Sequence, residues 1–139
     1  YDLPPALHEY LMKYPAVPLD GARDVLYWSK ETIPRLHPTI TLTHMVVYTP
    51  PGASPVVARK LIYADHYFEG AFELLSVVNA PDVPDGPAMY LIDVRRYRFD
   101  HLPSGGILNI RGRVRNHLAD LLRSDLEHER SAIEPSHAK

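Results

Sequence analysis

The longest helical pattern in the chain lies near its end. From Ile107 to about Arg130 the apolar residues Ile107, Ile110, Val114, Leu118, Leu121, Leu122 and Leu126 recur every three or four positions. That spacing predicts an amphipathic helix with a single buried stripe. Most of the preceding chain reads as β-strand, broken by prolines. Most of the 14 prolines cluster between periodic segments, at Pro4-Pro5, Pro15, Pro18, Pro34, Pro38, Pro50-Pro51, Pro55 and from Pro81 to Pro87. Strands joined by such loops, with no crossover helices between them, pair antiparallel. The expected fold class is therefore α+β: a curved antiparallel sheet of four to six strands packed on a long C-terminal helix.

The strands can be placed by composition. Val25 to Trp28 lie within a first strand over residues 24–32. Thr39–Thr49 is a second, rich in threonine and β-branched residues and closed by Pro50-Pro51-Gly52. Val56–Asn79 is a long segment whose first half, through Phe68, reads as strand. Its second half also fits a helix face through Tyr67, Ala71, Leu74, Leu75 and Val78. A strand bent by a bulge near Gly70 is the preferred reading, since glycine inside a strand pattern often marks one. Ala88–Phe99 is a further strand. Before the sheet, Leu7, Tyr10, Leu11 and Tyr14 stand at helical spacing after Pro4-Pro5, which suits a helix start. Ser104 is the expected N-cap of the last helix, and Gly112 is expected to let that helix approach the sheet.

Length and composition place these elements in one domain over residues 1–139, with residues 131–139 expected to fray. A net charge of −2 argues against a general nucleic-acid binder. The absence of cysteine excludes disulfides and thiolate metal sites. No apolar run approaches the roughly 20 residues needed to span a bilayer. No metal-binding motif appears and no cofactor is expected.

Strand parity singles out a polar cluster. His44 falls among Ile40, Leu42, Val46 and Tyr48 on an apolar face, opposite Thr39, Thr41 and Thr43. His66 falls with Ile62, Ala64 and Phe68. Tyr90, Ile92 and Val94 lead on the same parity into Arg96 and Arg98. The apolar face is expected to meet the C-terminal helix. Buried polar groups need partners, and convergence of His44, His66, Tyr90, Arg96 and Arg98 on a cavity would supply one. The plainer alternative satisfies each histidine with a carbonyl or tyrosine and leaves Arg96 in solvent. Imidazole can also act as a general base near neutral pH, although no nucleophile is paired with either histidine. Arg111, Arg113 and Arg115, with Arg95, Arg96 and Arg98 upstream, form the densest basic region. A solvated helix face is the favoured reading there, ahead of an anion or phospholipid-headgroup site.

The run Leu26-Tyr27-Trp28-Ser29-Lys30-Glu31, with Thr43-His44, His66-Tyr67-Phe68 and Arg96-x-Arg98-x-Asp100, resembles a group of exported bacterial proteins. The likeness covers most of residues 10–125 and carries no activity to transfer. It implies a periplasmic or secreted protein and marks His44, His66, Arg96 and Arg98 as matching positions. Arg95 departs from the pattern, which has a neutral polar residue there. In architecture alone, strands ending in a long helix look like the START-like, helix-grip domains that enclose lipids or other apolar ligands. Three functions follow as expectations: binding of an apolar or amphipathic small molecule between sheet and helix, acid–base catalysis by His44 or His66 with Arg96 or Arg98, and an accessory role beside a protein partner.

Overall fold

The computed structural model describes residues 3–33, 36–80, 88–100 and 109–133. A short helix α1 (Pro5–Lys13) precedes five strands, β1 (Arg23–Glu31), β2 (Thr39–Tyr48), β3 (Val56–Ala64), β4 (Phe68–Ala80) and β5 (Ala88–Phe99), and a long helix α2 (Ile110–Ile133) follows. The strands form one antiparallel sheet in the order β1-β2-β3-β4-β5, so each strand pairs with its neighbour in sequence. β1 and β5 are its edges. The α+β class and the long C-terminal helix agree with the sequence.

Each helix takes its own face of the sheet. Leu7, Tyr10 and Leu11 of α1 pack with Val46 and Tyr48 of β2, Val56 and Ala58 of β3 and Leu74 of β4 to form the main core. The expectation that α2 would cover the apolar face is corrected here. α1 is closer in sequence and carries three large buried side chains, and it fills that face. α2 lies across the opposite face, where Thr39 and Thr41 are buried rather than solvated. Parity counting assigns a threonine face to water by default, and a second helix overrides that default.

The long third segment also resolves differently. Asp65, His66 and Tyr67 form a turn, so Val56–Asn79 is two strands rather than one. Tyr67 takes a left-handed backbone conformation, with φ of 71°. Such a residue is more often glycine or asparagine, so the turn left no sequence signal. The second half is strand, and the pairing register shifts between Phe68 and Gly70, at the site of the expected bulge.

At the other end, α2 begins at Ile110. Asn109 is its N-cap, accepting the Gly112 N–H through Oδ1 at 2.8 Å. A Cβ on Gly112 would sit 2.6 Å from the Asn109 side chain. Gly112 therefore makes room for the cap rather than for the sheet. Ser104 lies outside the described residues, as do 134–139, while the helix runs on through Ile133.

Leu7 is fully buried beneath α1. Leu7→Ala should lower unfolding free energy by about 2–5 kcal/mol, read from urea denaturation; a loss below about 1 kcal/mol would show that α1 is not part of the core.

Candidate functional site

The face under α2 is a mosaic of three chemistries fixed by strand register. Nearest β1, Tyr27, Ser29 and Glu31 stand opposite Thr43, Thr41 and Thr39. Ser29 Oγ and Thr41 Oγ1 are 2.6 Å apart and hydrogen-bonded. In the middle lie Leu61, Ala71 and Phe68. Towards β5, Arg59, Glu73 and Arg95 are directly opposite one another on three successive strands. Cross-strand neighbours are close enough for charge to matter, and here the signs alternate.

That charged row continues into the helix. Arg59 Nη1 donates to Glu73 Oε1, and Arg95 Nη2 lies 3.3 Å from the same oxygen. Arg95 also donates to Asp93 Oδ2, through Nε at 3.0 Å and Nη2 at 2.8 Å, and to Asp125 Oδ2 of α2 at 2.8 Å. Burial works against the charged guanidinium of Arg95. Its hydrogen bonds to Asp93 and Asp125 and the charge of Glu73 outweigh that and hold the proton more firmly than usual. Burial pushes the Glu73 carboxyl upward, against the pull of Arg59 and Arg95 and with the help of Asp93. Asp93 has no side-chain exposure, and its Oδ1 has no partner among the described residues.

Between this row, the hydroxyl quarter and α2 is a cavity of about 370 Å³. Its walls combine Leu61, Phe68, Leu118 and Leu121 with Tyr27, Thr43, Arg59, Glu73, Arg95 and His117. The volume falls within the range of small-molecule sites, roughly 300–1,000 Å³, and the mixed lining is of the same kind.

The residues singled out by parity lie elsewhere. His44 shares a cross-strand row with Lys60, Phe72 and Arg96, so the face assignment of His44 and Arg96 was right. That face is the one beneath α1. His44 is 0% exposed; its Nε2 donates to Asp24 Oδ2 at 3.1 Å, and its ring lies 3.9 Å from that of Tyr14. Among the described residues Nδ1 is buried without a hydrogen-bond partner. His66 lies in the β3–β4 turn, where Nε2 donates to the Pro38 carbonyl at 3.1 Å and Nδ1 is 3.3 Å from Asp65. Neither histidine lines the cavity under α2, and the two do not face one space.

Arg96 and Arg98 do come together, in a more open groove of about 540 Å³ beside α1 with His8, Lys60 and Phe72. Arg98 pairs there with Glu69, and Lys60 Nζ donates to the Leu11 carbonyl at 2.8 Å. Tyr90 is six residues from Arg96, about 20 Å along an extended strand, and is exposed. Parity puts Arg59 and Glu73 on polar strand faces, where charged residues look solvated, and it does not apply to Asp125 on α2. The available signal was the alternation of sign at Arg59, Glu73 and Arg95 in the interiors of three strands. Among the described residues no group of His, Asp and Glu could hold a metal ion, and no helix is long and apolar enough to cross a membrane.

Two outcomes test this arrangement. Arg95→Met leaves the fully buried Asp93 without its guanidinium, beside Glu73 and the half-exposed Asp125, and should cost about 3–5 kcal/mol by denaturant unfolding; a cost under 1 kcal/mol, the range of exposed pairs, would contradict the network. The second concerns pH. The folded chain holds the Glu73 proton more tightly than the unfolded chain, whose carboxyl titrates near 4.5. This group's contribution to stability is therefore greatest below that value and is lost as pH rises from it through the raised folded value. Glu73→Gln cannot ionise, so its stability relative to wild type should increase across that window. A difference that stays flat or falls with pH would contradict the assignment.

Compared with protein-family models, curated proteins and solved structures, the chain matches none of them.

Proposed function

We propose that the protein binds a small amphipathic molecule in the cavity between the sheet and α2. The observation that carries this reading is the cavity's construction. Hydroxyls, an ion-pair row and apolar side chains from both sheet and helix converge on one space of about 370 Å³. A purely structural core would fill that space with side chains and would not bring polar groups to its wall. The charge count narrows the ligand. Arg59 and Arg95 are already matched by Glu73, Asp93 and Asp125, and Glu31 adds a further carboxylate to the wall. A negatively charged head would meet arginines already neutralised by carboxylates. A hydroxyl- or amine-bearing head would find acceptors instead.

A periplasmic or secreted setting belongs to this reading, supported by the resemblance to exported bacterial proteins; fractionation of source cells checks it. The acid–base reading gains no support, since His44 is sealed beneath α1 and His66 is engaged at a turn.

Binding is tested with three probes sharing one medium-length alkyl chain and ending in hydroxyl, amine or carboxylate. Thermal shift and native mass spectrometry should show the alcohol or amine binding more tightly than the carboxylate. Leu121→Trp, which places a larger ring in the cavity, should abolish that binding while the fold is retained. Preference for the carboxylate, no binding of any probe, or equal binding by Leu121→Trp would overturn the proposal.

A further inference from the structure

β1 is an edge strand that carries features inconsistent with a solvated edge. Its nine residues pair with β2 without a bulge and contain no proline, and among the described residues nothing pairs with the outer edge of the strand. Edges in soluble proteins are commonly interrupted or covered, because an open ladder recruits another strand. The apolar side chains beside this edge are exposed: Trp28 at 65%, Leu26 at 48% and Tyr63 at 51%. Trp28 and Tyr63 meet edge to face across β2, with ring centroids 6.3 Å apart. This row lies on the α1 face, beyond the area that α1 covers.

The charges on β1 identify what would pair with it. The strand reads Arg23-Asp24-Val25-Leu26-Tyr27-Trp28-Ser29-Lys30-Glu31. Laid antiparallel against a second copy of itself about Tyr27, it brings Arg23 opposite Glu31, Asp24 opposite Lys30, and Leu26 opposite Trp28. Each charge meets its opposite. Because cross-strand partners share a face, the Arg–Glu pairs fall on the α2 side and the Asp–Lys pairs on the α1 side. Two-fold symmetry repeats each pair, giving four ion pairs around a central apolar contact. Among the described residues neither Arg23 nor Lys30 has an ionic partner within the chain. The other edge does not have this property. β5 carries Arg95, Arg96 and Arg98 against the single acid Asp93, which already bonds Arg95. Self-pairing of β5 about its midpoint would set Arg95, Arg96 and Arg98 opposite Ile92, Leu91 and Met89, so no ion pair would form.

The geometry points to a homodimer formed by antiparallel β1–β1 pairing, which joins two sheets into one of ten strands. An isologous contact of this kind closes on itself and leaves no free β1 edge. It brings Leu26 of one copy against Trp28 of the other and extends the exposed apolar row across the two-fold axis.

Sedimentation velocity over a concentration series should show a monomer–dimer equilibrium. Arg23→Glu and Glu31→Arg each place like charges opposite one another twice. Each should weaken dimerisation by about tenfold, while Arg23→Glu combined with Glu31→Arg restores it. Emission from Trp28, the one tryptophan, should shift to the blue as dimer forms, and hydrogen exchange should slow at amides within residues 23–31. Far-UV circular dichroism checks folding of each variant; should one fail to fold, Lys30→Glu at an exposed position reads the same contact. A chain that stays monomeric at every concentration, a double variant as weak as the singles, or a dimer whose protection falls outside β1 would overturn the proposal.

Discussion

Arg95 joins the two halves of the face that matters. It stands on an edge strand, opposite Glu73, beside Asp93, and within 2.8 Å of Asp125 on α2. Glu73 in turn holds Arg59 on β3. One guanidinium thereby links three strands and the helix above them. Ion pairs in such a place add little net stability, because desolvation offsets most of the attraction. They do fix position: α2 cannot slide or settle closer without separating Asp125 from Arg95. α2 also buries Val114 completely and turns Leu118 and Leu121 towards the sheet, so the cavity lies between this apolar stripe and the charged row.

The opposite face shows what the sheet looks like when the space is filled. Under α1, Leu7, Tyr10 and Leu11 pack directly on Val46, Val56, Ala58 and Leu74. His44 is included there, its Nε2 bonded to Asp24 and its ring against Tyr14. The molecule therefore has an apolar core beneath α1, with an open groove beside it, and a more enclosed cavity under α2. The difference between them follows from the residues each strand sends to either side: mainly aliphatic towards α1, hydroxyl and alternating charge towards α2.

Most of the fold was legible in the sequence because its signals are local. The β-branched run of Thr39–Tyr48, the proline clusters and the three-to-four spacing of α2 are read residue by residue, and even the bulge beside Gly70 followed from one glycine. The site was not legible, for two physical reasons. Parity correctly put His44 and Arg96 on one face, but which helix covers a face is a tertiary fact, and α1 took it. The turn at His66 rests on Tyr67 adopting a left-handed conformation, which no sequence pattern announces. The charged row was visible only as isolated residues, since its meaning depends on the register that aligns Arg59, Glu73 and Arg95.

Binding of a small amphipathic molecule under α2, as proposed, places it away from the groove beside α1. Methyl NMR on the leucines, recorded while a medium-chain alcohol is added, tests this most directly. Saturable shifts are expected at Leu118 and Leu121, with none at Leu3 or Leu11. Shifts at Leu3 and Leu11 with none under α2, or no saturable shift at any leucine, would contradict it.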